Sequence, residues 1–194
     1  MEKTIDQIRS EYLEEGKGFC SCFTETIWSK VNCLQTLKTV GRERSNVFKK
    51  VREALSDDLK KFTDKSVTPR ASVKAFNKFK ELGLGSIFEQ NWNTIGSIKV
   101  MKALAEKGRN IFHHEHLQPH SEYIDSVLIK CTASHHVYCA LKDYPGVCWI
   151  LKSEDKEITA LKFRSKRIVA GGWQEVYKIA GIEVLSIFDS NFKF

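Results

Sequence analysis

Apolar residues recur every three or four positions through the N-terminal part of the chain, which is the spacing of amphipathic helices. The pattern predicts a short helix over residues 5–13, a break at the glycine-containing segment 15–18, and a second helix over residues 20–37. A third helix over residues 45–62 is expected to begin with Ser45 as its N-cap. This part of the chain is therefore predicted to be helical.

Two further helices are expected in the same region. Pro69 is predicted to occupy the first turn of one helix, because proline tolerates that position, and Gly83 is predicted to end it. Ser97 is the expected cap of the other helix, which is predicted to end at Gly108.

After about residue 125 the pattern changes to the alternation of apolar and polar residues that is typical of strands. The turn sequence at 144–146 contains proline and glycine and predicts a hairpin between the two strands beside it. The predicted strands are residues 126–132, 136–141, 147–151, 158–163 and 181–188.

Helices followed by strands predict an α+β fold, because the two kinds of element are segregated along the chain. We expect a single domain over residues 1–194, with a helical half at about 1–124 and a sheet half at about 125–194. The sheet is expected to be antiparallel, since its strands follow one another without intervening helices.

Composition agrees with a folded protein and excludes some classes. The chain has 194 residues, of which 42% are hydrophobic, with only 3 prolines and 11 glycines, so long disorder is not expected. No apolar run is long enough to predict a transmembrane helix. The 31 lysines and arginines exceed the 24 aspartates and glutamates and give a net charge of +7, which suits nucleic acid or an acidic surface without requiring either.

The six cysteines and the N-terminal segment indicate a reducing compartment. No two cysteines are spaced as CxxC, and the charged N-terminal residues lack the apolar segment of a cleaved signal peptide. We therefore expect a cytoplasmic protein with free thiols.

One candidate for chemistry is a cysteine nucleophile. Cys20 follows a glycine-containing segment at the predicted start of a helix, where the helix dipole would lower the pKa of its thiol. His136, or its neighbour His135, begins a predicted strand and is the candidate base. Cys20 would attack an acyl carbon, and His136 would take the thiol proton and then protonate the leaving amine.

The motifs Gly18-Phe19-Cys20 and Ser134-His135-His136-Val137-Tyr138 are arranged as in the papain-like cysteine proteases. Among these, the chain most resembles bacterial effector proteases and deamidases. The resemblance implies a papain-like layout and a thiol hydrolase that needs no cofactor. It also implies a protein substrate and action in a cytoplasm, including that of a host cell after delivery.

The residue that would orient the catalytic imidazole departs from this family's pattern. An aspartate or asparagine should close the strand at 147–151, but Lys152 stands there, and its side chain cannot accept a hydrogen bond. Ser153, Glu154 or Asp155 is expected to take the role if the strand ends later. Without such a residue the site is a dyad or is no longer catalytic.

Two alternatives concern the histidines, all six of which lie between residues 113 and 136. Imidazoles bind zinc, and Cys131 or Glu115 could add a ligand, although the spacing matches no standard zinc motif and we expect no metal. The stretch from Arg109 to His114 also resembles the Arg-Asn-x-x-x-His pattern of HEPN ribonucleases and the related KEN nuclease domains. There arginine would hold the phosphate and His114 would act on the 2′-hydroxyl.

A third alternative is a non-catalytic accessory protein that binds a partner through basic surfaces. The predicted helix 45–62 has a lysine-rich face, and a second basic cluster occupies residues 162–167. Our leading hypothesis is the cysteine hydrolase with Cys20, His136 and either Glu154 or Asp155. The ribonuclease is second, with nucleic acid as the alternative partner.

Overall fold

A computed structural model describes residues 3–65, 68–97 and 108–189. The prediction of an α+β fold with a helical N-terminal half is confirmed. The sheet differs from the prediction: its four strands are spread along the chain and form a mixed sheet rather than an antiparallel one.

The first helix is continuous where the sequence predicts a break. Helix α1 spans Ile5–Thr39, and Thr4 caps it through a capping box with Gln7. Gly16 and Gly18 lie inside the helix, and each costs only about 1 kcal/mol relative to alanine. The apolar stripe continues on both sides of the glycines, so burial outweighs this cost. The buried residues of the stripe are Ile8, Cys20, Thr24, Ile27, Val31 and Leu34.

Helix α2 spans Asn46–Lys65 and packs against α1. The prediction that Ser45 caps it is confirmed, since the Ser45 hydroxyl accepts a hydrogen bond of 3.1 Å from the backbone N–H of Phe48. An ion pair of 2.7 Å between Lys30 Nζ and Asp58 Oδ2 joins the two helices beside their apolar contact.

The helix predicted to start at Pro69 begins later. A short strand, β1 (Arg70–Ser72), comes first, because the chain there pairs with strands on both sides of it. Ser72 then caps helix α3 (Val73–Glu81) by accepting a hydrogen bond from the backbone of Ala75. Gly83 follows the helix with a φ of +65°, which confirms the predicted end.

A 3-10 turn (Ile87–Glu89) and helix α4 (Trp92–Ser97) follow. The helix predicted from Ser97 to Gly108 falls mainly on residues outside the described part of the chain. Helix α5 (Gly108–Ile111) then leads directly into strand β2 (Phe112–His116), which the sequence pattern did not predict.

Of the strands predicted after residue 125, the one at 147–151 is confirmed as β3 (Val147–Leu151) and the last one contains β4 (Val184–Ser186). The other three are wrong, because their apolar residues also fit helical spacing. The stretch around His136, for example, buries Val137, Ala140 and Leu141, which is one face of a helix. These regions form α6 (His120–Ser126), a 3-10 turn (Leu128–Lys130), α7 (Ser134–Asp143) and α8 (Lys152–Ala160).

The sheet has the strand order β2-β3-β1-β4. Strands β2 and β3 are antiparallel, β3 and β1 are parallel, and β1 and β4 are antiparallel. Strand β2 is therefore an edge strand among the described residues. A 3-10 turn (Ile168–Ala170) and helix α9 (Trp173–Ile179) complete the fold before β4.

The apolar interior has a helical part and a sheet part. In the first, which we call the helical core, α1, α2, α6 and α7 bury side chains such as Ile27, Leu55 and Leu141. In the second, Trp149 and Phe112 of the sheet pack against the helices on one of its faces. Each fully buried side chain of this size contributes about 1.5–3 kcal/mol.

Within the described ranges, no helix combines the length and the apolar character needed to cross a bilayer.

Candidate active site: a histidine-rich cleft at strand β2

Cys20 does not lie at a helix start. It lies well inside α1, in the helical core, with 4% of its surface exposed, and burial raises the pKa of its thiol. Its backbone carbonyl accepts a hydrogen bond of 2.6 Å from the hydroxyl of Thr24. The predicted lowering of its pKa by the helix dipole is therefore wrong, because the dipole acts within the first turn of a helix.

His136 does not begin a strand but lies in the first turn of α7, where it is exposed. Its Nδ1 atom is 3.0 Å from the Thr132 hydroxyl, and its ring lies beside that of His135, with 4.0 Å between the centroids. Helix α7 packs on α1 through its other face. Among the described residues, no hydrogen bond joins either histidine to Cys20.

Glu154 and Asp155 lie in the first turn of α8, directly after β3. Glu154 is buried and accepts hydrogen bonds of 2.6 Å from the Ser72 hydroxyl and 2.8 Å from the backbone N–H of Leu151. It therefore ties β1, β3 and α8 together and does not orient His136. Asp155 does approach an imidazole, but that imidazole belongs to His113.

The residues of the predicted ribonuclease site are described only in part, since the side chain of Arg109 lies outside the described residues. His114 is buried, with its Nε2 atom 2.6 Å from the Thr68 hydroxyl and its Nδ1 atom 3.8 Å from Asp64 Oδ1. Its ring packs on Trp149, with 4.5 Å between the centroids. Burial lowers the pKa of His114, although the nearby Asp64 carboxylate opposes this shift.

Strand β2 positions the histidines on its two faces. Side chains alternate along a strand, so His113 and Glu115 point to one face, and His114 and His116 point to the other. Because β2 is an edge strand, both pairs reach a cleft that runs along its edge. The sequence HHEH thus gives the cleft three imidazoles and one carboxylate from four consecutive residues.

On the first face, His113, Glu115 and Asp155 form a cluster of metal-ligand type. The Nε2 atom of His113 is 2.9 Å from Glu115 Oε2 and 3.6 Å from Asp155 Oδ1, and the three donor atoms all lie within 4.8 Å of one another. A tetrahedral ion with bonds of about 2.1 Å separates its donors by about 3.4 Å. The cluster therefore has the size of a three-residue metal site.

Arg167 holds the carboxylate of this cluster in place. Only 1% of its surface is exposed, and its guanidinium donates to Glu115 Oε1 and to the backbone carbonyls of His116 and Leu117, at 2.6 and 3.0 Å. Metal-binding carboxylates are commonly fixed by such a second hydrogen bond. Glu115 thus has one oxygen bound by Arg167 and the other facing His113.

On the second face, His116 and His120 lie against helix α2. The Nε2 atom of His116 is 3.0 Å from the Thr63 hydroxyl, and its ring centroid is 4.1 Å from that of His120. Burial lowers the pKa of His120 to about 4, a shift that the Lys60 charge favours and the Asp64 charge opposes. Burial is also the main reason that the pKa of His116 lies well below its usual value. Both imidazoles are therefore neutral near pH 7.

The cleft itself has a volume of about 340 Å³. Cations from two separate elements reach it, since Lys60 belongs to α2 and Arg164 follows α8. Trp92 of α4 forms part of its wall and is stacked on His114. Among the residues that the structure describes, the cleft is lined by Lys60, Asp64, Trp92, His113, His114, Glu115, His116, Pro119, His120 and Arg164.

The sequence pattern offers zinc at the histidines as an alternative but does not identify the ligands. Cys131, one of the two residues suggested to join them, lies in the helical core. Glu115, the other, does join His113. The roles of Asp155 and Arg167 were missed because these residues follow Glu115 by 40 and 52 positions in the sequence. The only local signal was the alternation of side chains within the sequence HHEH.

No protein-family model matches this chain, and no curated protein or solved structure is significantly similar to it. The resemblance to papain-like effectors therefore stays a prediction, and what can be concluded about function comes from the geometry of the cleft.

Proposed function

We propose that the cleft at β2 is the active site of a metal-assisted hydrolase that cleaves phosphodiesters. The observation that carries this proposal is the convergence of His113 Nε2, Glu115 Oε2 and Asp155 Oδ1 within 4.8 Å. Two of these residues, His113 and Glu115, also line a cleft that cations line. This differs from the expectation that no metal is needed.

The donor set favours a divalent transition-metal ion. One imidazole and two carboxylates suit zinc or manganese, and three protein ligands leave at least one coordination position for water. A metal ion lowers the pKa of bound water towards neutrality and neutralises charge on a phosphoryl oxygen. Arg167 would keep Glu115 oriented, and Asp155 would complete the set from the start of α8.

The cations of the cleft favour a phosphodiester over a neutral substrate. Lys60 and Arg164 both line the cleft and can bind phosphate oxygens, and the net charge of +7 attracts polyanions to the protein. In the reaction the oxygen of water bonds to phosphorus while the bond to one ester oxygen breaks. A proton from water ends on the leaving oxygen, so the products are a phosphomonoester and an alcohol.

The cysteine hydrolase receives no support from the same geometry. Cys20 is enclosed by the helical core, its thiol pKa is raised, and His136 is turned to solvent on α7. It stays a prediction that labelling of the thiol can test. The ribonuclease hypothesis shares the substrate class proposed here, but it assigns the chemistry to Arg109 and His114 rather than to the metal-type cluster.

The proposal is tested with a chromogenic phosphodiester, bis(p-nitrophenyl) phosphate, and zinc, manganese, cobalt or magnesium added to protein freed of metal. We expect hydrolysis with at least one of these ions and none in excess chelator. Asp155→Ala and His113→Ala should each lower kcat/KM at least about 100-fold, as loss of a metal ligand does. Asp125→Ala is the matched control, because this carboxylate pairs with Arg52 away from the cleft.

Metal binding is measured separately by titration calorimetry. The unchanged protein and Asp125→Ala should bind one ion per chain with the same affinity, and Asp155→Ala should bind it at least about tenfold more weakly. Hydrolysis that persists in chelator, or that survives Asp155→Ala at full rate, would contradict the proposal.

A further inference from the structure

We infer that a pocket between α1 and α7 binds a small amphipathic carboxylate, with its apolar chain inside the pocket and its carboxylate paired with Lys17 and Lys142. Among the described residues, this pocket shares no lining residue with the cleft at β2, and the inference does not depend on the proposed function. It is carried by an interrupted apolar face of α1, by the apolar walls of the pocket and by the two lysines.

The face of α1 that packs into the protein is incomplete at Gly16. Steps of four residues along this face lead from Ile8 through Tyr12 and Gly16 to Cys20. Ile8 and Cys20 are buried, but none of residues 9–19, all of which the structure describes, is buried. Nothing lies within 4 Å of the place that a Cβ of Gly16 would take. The missing side chain thus leaves open space on this face, and Gly16 lines the pocket there.

The walls of the pocket are mainly apolar. Helices α1, α2 and α7 and the segment before β3 contribute to them, and five of the lining residues are aromatic. These are Tyr12, Phe19, Phe62, Tyr138 and Tyr144. The pocket has a volume of about 170 Å³. Since an apolar cavity of about 150 Å³ holds a benzene molecule, this pocket has room for about seven carbon atoms.

The charges around the pocket favour an acidic ligand. Lys17 and Lys142 line it, whereas the described part of the lining includes no carboxylate. Lys17 lies 3.6 Å from Glu14, but both side chains are exposed, so this ion pair is weak and leaves Lys17 available. Burial raises the pKa of the Cys20 thiol and the charge of Lys142 opposes this shift, so Lys142 lies near the inner wall. An apolar pocket with two cations is complementary to an apolar chain that carries one carboxylate.

Octanoate is the probe, because about seven carbons follow its carboxylate. Its binding is measured by titration calorimetry in excess chelator, so that no metal ion at the cleft competes for the carboxylate. We expect one molecule per chain. Each buried methylene raises the affinity about fourfold, so hexanoate should bind about 15-fold more weakly and dodecanoate, which exceeds the pocket, should gain less than about fourfold. 1-Octanol, which lacks the charge, should bind at least about tenfold more weakly.

Two glycine variants test the place of the apolar chain. Gly16→Leu should weaken octanoate binding at least about 50-fold, because its side chain occupies space that several carbons of the ligand need. Gly18→Leu is the matched control, since Gly18 lies in the same helix, also has open space around it and does not line the pocket. Both variants replace a helical glycine by a good helix former, so both should fold, which circular dichroism checks.

Two double variants test the charges. Lys17→Gln combined with Lys142→Gln should weaken octanoate binding at least about tenfold and leave the affinity for 1-octanol unchanged. Lys38→Gln combined with Lys156→Gln is the control, because it removes the same net charge at exposed residues outside the pocket. A loss of affinity that the control shares would come from the net charge of the protein and would contradict the assigned contacts.

The thiol of Cys20 reports where octanoate binds. Cys20 lines the pocket, whereas Cys22 is exposed and lies outside it. Octanoate at about ten times its Kd leaves about one tenth of the pockets empty, so the labelling of Cys20 by iodoacetamide should slow about tenfold. The labelling of Cys22 should not change.

The outcomes separate this inference from the proposed function. No binding of octanoate, equal binding by the Gly16→Leu and Gly18→Leu proteins, or unchanged labelling of Cys20 would overturn this inference and leave phosphodiester hydrolysis untouched. Octanoate binding as expected, without hydrolysis in any metal, would instead overturn the proposed function alone.

Discussion

The helical core and the cleft at β2 both bury reactive side chains, but they surround them differently. In the helical core Cys20 lies among aliphatic and aromatic residues, and burial moves the pKa of its thiol away from the reactive thiolate. In the cleft Glu115 is also buried, yet Arg167 and His113 supply partners for both of its oxygens. Burial therefore removes reactivity in one region and organises polar groups in the other.

The comparison shows what distinguishes a candidate site from a core residue. An apolar core accepts a thiol as a small hydrophobic group, so its presence there needs no functional reason. A buried arginine and a buried carboxylate carry a large desolvation cost, and this cost is offset only when they are paired. The pair of Arg167 and Glu115 is thus a stronger indication of function than Cys20.

The largest expected effect comes from breaking the buried pair. Arg167→Met should leave Glu115 without its partner and lower the free energy of unfolding by about 3–5 kcal/mol. Urea unfolding at pH 7 measures this change. Arg164→Met is the control, since Arg164 is exposed at the cleft and should change stability by less than about 0.5 kcal/mol. Equal losses in the two variants would remove the contrast between buried and exposed cations.

The next effect concerns the pH dependence of stability in the cleft. The pKa of His120 is about 4 in the folded protein, below the value of about 6.5 expected after unfolding. Between these values the unfolded state binds more protons, so the contribution of His120 is complete above about pH 6.5 and is lost as the pH falls towards 4. Lys60 and Asp64 of α2 and His116 of β2 face this imidazole.

Unfolding in urea at pH 7 and pH 5 tests this expectation. The unchanged protein should lose about 1–2 kcal/mol more stability on acidification than His120→Gln does. His135→Gln, which alters an exposed imidazole of α7, should behave as the unchanged protein. If His120→Gln loses as much stability as the unchanged protein, then His120 is charged in the fold and the assigned cause is wrong.

A smaller effect is expected at the thiol in the helical core. Cys20→Ala should lower the free energy of unfolding by about 1 kcal/mol and leave phosphodiester hydrolysis unchanged. Iodoacetamide at pH 7 should label Cys20 more slowly than the exposed Cys22, because alkylation needs an accessible thiolate. Faster labelling of Cys20 than of Cys22 would revive the cysteine hydrolase and reverse the comparison.

The smallest effect has the opposite sign. Gly18 lies inside α1, and nothing lies within 4 Å of the position its Cβ would take, so Gly18→Ala should raise the free energy of unfolding by about 0.5–1 kcal/mol. Gly83 also has open space, but its φ of +65° makes Gly83→Ala strained and destabilising. Thermal unfolding of both variants checks the difference in sign, and stabilisation by both would contradict it.

Helical periodicity predicted the helical character of the N-terminal half, because a long apolar stripe such as that of α1 fits only a helix. The break predicted at residues 15–18 was wrong, since α1 continues through its glycines. The periodicity failed for the short segments around His136 and at 158–163, whose few apolar residues fit both a strand and a helix. It also missed β2, since a strand of mainly polar residues at the edge of a sheet lacks the apolar alternation that marks most strands.

The candidate site was predicted only in pieces. The histidine cluster and Glu115 were visible as a local group, but the sequence does not show that β2 pairs with β3 and so brings His113 to the start of α8. The sequence pattern assigns Asp155 to a different imidazole, that of His136. Arg167 was seen only as part of a basic cluster, because its burial against Glu115 depends on tertiary packing.

The length of α1 has a consequence for how much the chain can vary. Arg9, near one end, donates hydrogen bonds to the backbone carbonyls of Ile187 and Asp189, and Gln35, near the other, donates to those of Ile129 and Cys131. One residue inserted between them would turn everything beyond it by about 100° and shift it by about 1.5 Å. The helix therefore sets both distance and rotational phase between its two anchor points, and insertions or deletions there should be far less tolerated than substitutions.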